Sequence, residues 1–271
     1  MKEKLINQKY DPWAVIAGGS QGIGEAFAKL LGEKGINLVL IARGKPLLEK
    51  LAKELEEKFK VTVRTISVDL GKENGIQAII EQTNDIKVNM LVYNAAFIPL
   101  GPFFKHDLDT HLQILNVNSK GPLMLVEHYG RLMKERKKGG IILISSMAGV
   151  QGTALNVHYG ATKAYNIGLA EGLWYELKKD NVDVITCVAG NTATPHYYKN
   201  NPDDPGFFSA KPTDPMDLAK ETMKKLGRKP SFAPGSLNKI AVFMMRYLIP
   251  RKQAVKMVAK STYNMFGNRF D

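Results

Sequence analysis

A glycine-rich turn near the amino terminus constrains the fold more strongly than any other stretch of the chain. The apolar run Trp13–Ala17 predicts a buried strand, and Gly18-Gly19-Ser20-Gln21-Gly22-Ile23-Gly24 follows it directly. Apolar residues then recur at helical spacing through Leu31, which predicts a helix. Such a turn suits a dinucleotide phosphate, because its backbone N–H groups and the helix N-terminus attract anions. A flexible turn without a ligand is the alternative interpretation. We predict cofactor contacts from Gly18, Ser20, Gln21, Gly22, Ile23 and Gly24.

The chain alternates short apolar runs with helix-like runs. Further strands are predicted at residues 37–42, 61–68, 90–93, 141–144 and 182–188, with helices between them. The pattern predicts an α/β fold, a doubly wound, Rossmann-type parallel sheet with helices on both faces, because parallel strands need crossover helices. We expect a single domain, residues 1–271, with a carboxy-terminal helical extension. Its parts are a core at 10–195, a substrate loop and helix at 195–235, and a basic amphipathic helical tail at 236–271.

Polar residues follow several predicted strands, where the carboxyl ends of parallel strands form a ligand crevice. The second strand ends at Ala42-Arg43-Gly44, without the carboxylate that would bind a ribose 2′-hydroxyl. Arg43 predicts NADP(H) as the cofactor, since a guanidinium offers a planar fork of donors to a 2′-phosphate. An arginine that merely faces solvent is the alternative. Four further residues at strand ends are predicted to contact the cofactor: Asp69, Leu70, Asn94 and Ala95.

Tyr159 and Lys163 are spaced so that both side chains lie on one face of a helix. An ammonium about 4 Å from a phenol, at an effective dielectric of about 20, favours the phenolate by roughly 4 kcal/mol. We therefore expect Lys163 to lower the pKa of Tyr159 by about three, toward the range in which it exchanges protons at neutral pH. Alone this spacing is common on solvated helices, so the interpretation depends on the other motifs.

A long helix is predicted between residues 108 and 134, although its middle contains Asn116, Asn118 and Gly121. Asparagine is unfavourable inside a helix because its amide competes for backbone hydrogen bonds. Asn118 therefore either tolerates a local cost or uses its amide for a specific contact. Ser145-Ser146 closes the fifth predicted strand and places two hydroxyl groups at the same crevice.

With these motifs the chain resembles the short-chain dehydrogenase/reductase family over residues 12 to about 195. Its glycine turn matches the family's Thr-Gly-x-x-x-Gly-x-Gly element, with Ala17 in place of the threonine. Tyr93-Asn94-Ala95-Ala96 matches the Asn-Asn-Ala-Gly element, and Ala189–Thr194 matches Pro-Gly-x-x-x-Thr without its proline. The resemblance implies that this last segment binds the cofactor through Gly190, Thr192 and Thr194, with Thr194 at the nicotinamide carboxamide.

The resemblance also implies a catalytic tetrad of Asn118, Ser146, Tyr159 and Lys163, since the family's serine lies thirteen residues before its tyrosine. In that family a hydride passes between the nicotinamide and a carbonyl carbon. Tyr159 would exchange the proton, Lys163 would hold the nicotinamide ribose, and Ser146 would hydrogen-bond the substrate oxygen. Tyr159 and Lys163 would thus contact the cofactor, and Asn118 would position Lys163 through a water. His158 is expected to be a wall residue and not a base.

The segment after Pro195 mixes aromatic residues with Asn, Pro, Asp and Gly and has no clear period. We expect residues 196–208 to form a loop that covers an apolar substrate, with Tyr197 and Tyr198 in contact with it. An ordinary surface loop would give the same pattern. A helix should follow from about residue 215, capped by Asp214.

The tail combines an apolar helical stripe that includes Leu237, Ile240, Met244 and Leu248 with the basic residues Arg251, Lys252, Lys256 and Lys260. A basic amphipathic segment can bind a membrane surface. We favour packing of the tail as a substrate wall or subunit interface, because an exposed apolar stripe is costly unless something covers it. Peripheral membrane contact is the alternative.

Composition excludes several classes of protein. The net charge is +12, but many lysines alternate with glutamates on predicted helices, and no nucleic-acid-binding motif accompanies them. Cys187 is the only cysteine, which excludes an intramolecular disulfide and a cysteine metal cluster and favours a reducing compartment. We find no metal site, secretory signal or membrane-spanning run. We expect a cytoplasmic protein, with peripheral membrane contact as the alternative.

Together these features predict an NADP(H)-dependent oxidoreductase that acts on a hydrophobic ketone or secondary alcohol, either steroid-like or long-chain. The family resemblance implies a homo-oligomer, either a dimer or a tetramer. A cofactor-binding regulatory protein without turnover is one alternative, and the intact tetrad disfavours it because such a protein needs no proton relay. An epimerase or dehydratase is another, although those relatives usually carry a larger carboxy-terminal domain.

Overall fold

A seven-stranded sheet forms the centre of the protein, whose computed structural model describes residues 9–199 and 211–270. Its strands are β1 Trp13–Ala17, β2 Asn37–Ala42, β3 Val63–Ser67, β4 Val88–Tyr93, β5 Gly139–Ser146, β6 Val182–Ala189 and β7 Ser231–Phe232. They lie in the order β3-β2-β1-β4-β5-β6-β7, and each neighbouring pair is parallel. The chain starts in the middle, runs to one edge and then crosses over to build the other half. This confirms the predicted doubly wound parallel sheet.

Apolar layers cover both faces of the sheet. In β1, Ala14 and Ile16 belong to one buried cluster, while Val15 and Ala17 belong to a second cluster. This alternation follows from the pleat, which points successive side chains to opposite faces. Strand β1 is apolar throughout because both of its faces are covered. Helices on both faces are thereby confirmed.

Helices connect the strands and continue into the tail. The first begins at Gly22, directly after the glycine turn, and the second carries Pro46 in its first turn, where a missing N–H costs little. The helices are α1 Gly22–Glu33, α2 Lys45–Phe59, α3 Glu73–Glu81, α4 Leu108–Leu115, α5 Gly121–Arg136, α6 Val157–Glu176, α7 Pro195–Lys199, α8 Pro215–Lys225, α9 Ser236–Phe243 and α10 Arg251–Phe266.

The helix predicted across residues 108–134 is interrupted by a π-helical turn at Asn116–Lys120. Two contacts account for the interruption. The hydroxyl of Tyr93 donates a hydrogen bond of 2.6 Å to the carbonyl of Val117. A Cβ on Gly121 would lie 2.2 Å from that hydroxyl, so only glycine allows this close approach. The predicted helical stretch is therefore confirmed, and the asparagines, which are unfavourable in a regular α-helix, mark the π-helical turn where it widens.

The segment after β6 differs from the loop predicted at 196–208. Its first residues form α7, because Pro195 occupies the first helical position and the Thr194 hydroxyl accepts a hydrogen bond from the N–H of Tyr197. The rest of the predicted loop, residues 200–208, lies outside the described residues. The cap predicted for α8 is present, since the Asp214 carboxylate accepts hydrogen bonds from the N–H groups of Met216 and Asp217.

The tail is helical, as predicted, and consists of α9, a π-helical turn at Met244–Leu248, and α10. Val242 and Met245 of this region pack against a small buried cluster that includes Val188 of β6. In the described part of the chain, no helix has the length and apolar character needed to cross a bilayer. The boundaries drawn at residues 195 and 235 remain a prediction.

Candidate active site

The carboxyl ends of the central strands open into one cleft of about 620 Å³. This volume lies within the range of roughly 300–1,000 Å³ that is typical of ligand pockets. Most of the predicted site residues line it. They are Gly18, Ser20, Gln21, Gly22, Ile23, Arg43, Asp69, Leu70, Asn94, Ala95, Ser146, Tyr159, Lys163, Gly190, Thr192, Thr194 and Tyr197.

The glycine turn approaches its neighbours too closely for side chains. Gly18 has a φ of +79°, and a Cβ there would lie 2.7 Å from the backbone nitrogen of Ala95. Gly24 does not line the cleft, because a Cβ there would lie 1.9 Å from the carbonyl oxygen of Gly18. Gly24 therefore allows close packing of α1 on the turn, and its predicted cofactor contact stays a prediction. The Asn94 amide also donates a 3.0 Å hydrogen bond to the carbonyl of Gly18, which fixes the turn against β4.

The amino terminus of α1 is open toward the cleft. Its preceding residue, Gln21, gives no side-chain hydrogen bond to the first turn, so that turn has N–H groups available for an anion. Gly22 has a φ of +61°, and a Cβ there would lie 2.9 Å from the methyl carbon of Thr194. The turn thus meets the segment after β6 across the cleft. A narrow cradle with unpaired donors fits the diphosphate of a dinucleotide.

Arg43 lies at the rim of the cleft, directly after β2. Its side chain is exposed and makes no ion pair with a described residue, while its backbone carbonyl accepts a 3.0 Å hydrogen bond from Ser67. Asp69 also lines the cleft, but its carboxylate accepts a 2.9 Å hydrogen bond from the N–H of Gly71. Among the described residues, this edge therefore offers the unpaired Arg43 guanidinium next to a carboxylate that holds its own turn.

Ser146, Tyr159 and Lys163 come together at the end of β5 and the start of α6. Tyr159 is 9% exposed and Lys163 is 3% exposed. The Lys163 ammonium donates a 2.8 Å hydrogen bond to the carbonyl of Ile144 and lies 5.5 Å from the centre of the Tyr159 ring. The Ser146 hydroxyl accepts a 3.2 Å hydrogen bond from the N–H of Ala148, which orients it.

Burial controls the protonation of this pair. It raises the pKa of Tyr159 to about 12, although a hydrogen bond with Ser146 acts in the opposite direction. It lowers the pKa of Lys163 to about 8. The predicted decrease in the pKa of Tyr159 is therefore wrong for this structure, since desolvation of the phenolate raises the pKa more than the Ser146 hydrogen bond lowers it. At neutral pH the phenol is protonated and the lysine is mostly charged.

Asn118 is fully buried and connects two parts of the site. Its side-chain oxygen accepts a 2.8 Å hydrogen bond from the N–H of Phe97, and its amide nitrogen donates to the carbonyl of Phe97 at 2.9 Å and to the hydroxyl of Thr162 at 3.3 Å. Its own carbonyl accepts a 3.0 Å hydrogen bond from the Asn166 side chain. The amide thus joins the segment after β4 to α6. Its predicted action on Lys163 through a water stays a prediction.

Backbone hydrogen bonds hold the segment after β6, despite the missing proline. The N–H of Ala193 donates to the carbonyl of Thr213 at 2.9 Å, and the N–H of Thr213 donates to the carbonyl of Asn191 at 2.9 Å. The Thr192 hydroxyl also donates to the carbonyl of Gly190 at 3.1 Å. A second segment therefore supplies the rigidity that a proline would give to this side of the cleft.

Two aromatic residues predicted to contact the substrate have different positions. Tyr197 lines the cleft, whereas Tyr198 is 61% exposed and does not line it. Both lie in α7, where consecutive side chains diverge by about 100°, so only one of them can face the cleft. The substrate contact predicted for Tyr198 stays a prediction. His158 also lies away from the cleft and contacts His111, with 3.2 Å between their Nδ1 atoms. The prediction that His158 forms part of the cleft wall is therefore wrong.

Several apolar residues that line the cleft were not predicted from the sequence. Apolar residues from the segment after β4 and from the end of α10 form a wall there: Phe97, Ile98, Leu100, Met265 and Phe266. The first three follow a predicted strand end, which could have identified them. The last two are distant in sequence and carry no such signal. Asn156 also lines the cleft, and its buried side-chain oxygen accepts no hydrogen bond from the described residues.

Comparison with known proteins gives one consistent result. A family model described as short chain dehydrogenase matches residues 12–205. A 7β-hydroxysteroid dehydrogenase of Clostridium sardiniense is 34% identical over 234 residues, covering 86% of this chain and 89% of that protein.

Solved structures extend the similarity to three dimensions. One from a study of 7β-hydroxysteroid dehydrogenase stereoselectivity has a TM-score of 0.87 and 26% identity, covering 93% of this chain and 98% of that one. The bulky-bulky ketone specific alcohol dehydrogenase from Comamonas testosteroni has a TM-score of 0.74 and 26% identity, covering 84% and 87% of the two chains. The chain thus belongs to the short-chain dehydrogenase family, and it is an oxidoreductase that binds a nicotinamide cofactor and a small-molecule substrate.

Proposed function

We propose that the protein transfers a hydride between NADP(H) and a hydrophobic ketone or secondary alcohol. The observation that carries the proposal is the grouping of Ser146, Tyr159 and Lys163 beside an apolar wall in the same cleft. When bound, the nicotinamide supplies or takes up the hydride. The protein supplies orientation, a proton and a hydrogen bond to the substrate oxygen.

Tyr159 is the proton donor in the direction of reduction. Burial keeps its pKa high, so the phenol carries its proton when the substrate oxygen becomes negative. The Ser146 hydroxyl donates a hydrogen bond to the same oxygen and stabilises its charge. Lys163 remains mostly protonated at neutral pH and stabilises the phenolate that is left after the transfer. In oxidation the same groups act in reverse.

Arg43 is the residue that selects NADP(H) over NAD(H). It lies at the end of β2, where a ribose 2′-hydroxyl would meet a carboxylate in an NAD site, and its exposed guanidinium can pair with a 2′-phosphate. Arg43→Ala should weaken NADPH binding about 10- to 100-fold, because hydrogen bonds between charged groups are worth about 1.5–3 kcal/mol. NADH binding should change by less than about threefold.

Titration calorimetry with both cofactors measures this difference. Arg228→Ala is the matched control, since Arg228 is also exposed but does not line the cleft. Equal binding of NADPH and NADH by the wild-type protein would contradict the cofactor assignment. That result would not contradict hydride transfer as the reaction class.

The apolar wall favours a bulky hydrophobic substrate. Relatives whose names refer to hydroxysteroids and to bulky-bulky ketones support a substrate of the same kind. The test is a panel of steroids, long-chain ketones and small polar ketones, followed by NADPH absorbance. Steroids or long-chain ketones should give a kcat/KM at least about tenfold higher than small polar ketones, since each buried methylene adds about 0.8 kcal/mol. The reverse order would overturn the substrate class.

We also propose that the protein forms a homo-oligomer. Helix α4 exposes three leucines on the described surface, with Leu108 70%, Leu112 46% and Leu115 43% exposed, and a second copy could cover them. Light scattering of the purified protein measures the mass directly. A monomer at all concentrations would contradict the oligomer.

A further inference from the structure

We infer that the tail binds an anionic lipid surface, with the apolar stripe of α9 and its π-helical turn inserted at the interface and the lysines of α10 pairing with lipid headgroups. This goes beyond the proposed reaction and does not rest on it. The apolar stripe consists of Leu237, Ile240, Phe243, Met244, Tyr247 and Leu248.

The apolar stripe is exposed although its helix is packed on the protein. Its six residues are between 36% and 69% exposed, and α9 contains no buried residue. Val242 and Met245 face the other way and pack against the core. The helix therefore presents apolar side chains on two sides, of which only one is covered. A contiguous apolar surface of this kind marks an interaction site.

The charge of this region identifies the partner. Residues 222–270 contain eleven lysines and arginines and no aspartate or glutamate, whereas the whole chain has a net charge of +12. Most of the excess positive charge therefore lies in fewer than fifty residues at the carboxy-terminal end. Anionic lipid headgroups complement such a segment, and each basic residue near the surface strengthens binding about fivefold.

Part of this charge is available to a partner. Lys239 pairs with Glu221 at 2.9 Å, and Arg246 lies 3.6 Å from Glu171. Lys252, Lys256 and Lys260, by contrast, are exposed and make no ion pair with a described residue. They are spaced four residues apart, so they form one row along α10. This row on α10 and the apolar stripe before it in the chain supply the two features, positive charge and apolar area, by which interfacial helices bind lipid.

A second copy of the chain fits this surface less well. Two tails in contact would bring their positive charges together without acidic residues to balance them, and like charges in an interface cost affinity. The phosphates of a nucleic acid would pair with the lysines, but the apolar stripe would stay exposed to water. Only an anionic lipid surface uses both features.

The tail also connects this surface to the cleft. At its start, a Cβ on Gly190 would lie 2.7 Å from the side-chain nitrogen of Asn238, so α9 packs on the cofactor-side segment. At the end of α10, Met265 and Phe266 line the substrate side of the cleft. A hydrophobic substrate dissolved in the bilayer would then lie close to its binding site.

The test is sedimentation of the full-length protein with vesicles of phosphatidylcholine alone and with vesicles that also contain phosphatidylserine. The protein should sediment with the second kind only, and added salt should release it. K252Q/K256Q/K260Q should weaken binding about a hundredfold, from three charges at about fivefold each. I240S/F243S should weaken binding at least about tenfold, because the apolar contact is lost.

Matched variants separate this surface from general effects. K50Q/K87Q/K220Q removes three exposed lysines elsewhere and should change binding by less than about threefold, since distant charges are screened. F104S/Y175S removes two other exposed aromatic residues and should leave binding unchanged. Because all the replaced residues are exposed, the thermal unfolding of each variant should match that of the wild type.

Three results would overturn the inference. The first is absence of wild-type protein from the phosphatidylserine pellet. The second is equal loss of binding in both triple-lysine variants, which would mean attraction by net charge alone. The third is normal binding by I240S/F243S, which would mean contact with any polyanion. If I240S/F243S instead dissociated an oligomer and the wild type ignored vesicles, the stripe would be an interface between copies.

Discussion

The central sheet and the tail place their apolar side chains differently. All six residues of β4 are buried, whereas α9 contains no buried residue. In the sheet, apolar layers on both faces fix the positions of the strand ends, and the polar residues that follow those ends are thereby brought together in the cleft. In the tail, the same kinds of apolar residue remain on the surface beside positive charges.

The comparison shows that one chain uses hydrophobic side chains for two purposes. In the sheet they supply stability and geometry, which is why changes there should affect catalysis and folding. In the tail they supply a contact surface and two residues of the cleft wall, which is why changes to its exposed residues should leave folding intact. Changes in the cleft should therefore have larger effects than changes on the exposed face of the tail.

Replacement of the phenol in the cleft should have the largest effect. Tyr159→Phe should lower kcat about 10²- to 10⁴-fold, the usual contribution of a positioned proton donor. Cofactor affinity should stay within about threefold, since the glycine turn proposed to hold the diphosphate is unchanged. Tyr165→Phe is the control, because Tyr165 lies on the same helix but is 40% exposed. If the Tyr159→Phe variant kept its activity, Tyr159 would not be the proton donor.

Glycine replacements separate close packing from open space within the same fold. Gly24→Ala should destabilise the protein by about 3 kcal/mol, since its Cβ would lie 1.9 Å from a backbone oxygen that cannot move aside. Gly168→Ala in α6 meets no atom within 4 Å and should stabilise it by about 0.5–1 kcal/mol. Urea unfolding measures both. Equal effects at the two positions would show that the turn has room for a side chain at Gly24.

Burial of Lys163 predicts a pH-dependent stability. Its pKa falls from 10.5 in the unfolded chain to about 8 in the folded protein, so between these pH values the folded state binds fewer protons. This group's contribution to stability therefore rises with pH across that window. Relative to Lys163→Met, the wild type should gain about 3 kcal/mol from pH 8 to 10.5. If the free energies of unfolding of the wild type and of Lys163→Met differed by the same amount at every pH, the lysine would not be buried.

Replacements in the tail should have the smallest effect. Ile240→Ala should change stability by less than about 0.5 kcal/mol, because the side chain is 59% exposed. Val242→Ala, two residues further, should cost about 1 kcal/mol, because this side chain packs against the core. Thermal unfolding of the two variants gives the comparison. If Ile240→Ala lost more stability than Val242→Ala, another surface would already cover the apolar stripe.

Much of the sheet and the glycine turn could be predicted from the sequence, because both follow from local rules. Runs of apolar residues with period and length suited to strands gave β1, β2, β4, β5 and β6, and the positions just after them gave most of the cleft. Arg43 and Asn94 were identified in this way, since the carboxyl ends of parallel strands meet at one edge.

Other features depended on contacts between distant residues. The π-helical turn at Asn116–Lys120 results from the approach of Tyr93, which no helical pattern reports. The pKa of Tyr159 rose where the sequence predicted a decrease, because burial is a property of the packed cleft and not of the spacing to Lys163.

The sequence by itself therefore determined the order of the elements, the glycine turn and the polar residues that directly follow the strands and line the cleft. Each of these depends on residues close together in the chain, where steric and hydrogen-bonding rules act locally. The tertiary structure alone decided which aromatic residue faces the cleft, that Met265 and Phe266 complete its wall, and that the stripe of α9 stays exposed. These outcomes depend on which surfaces exclude water, and that is settled only when the whole chain packs.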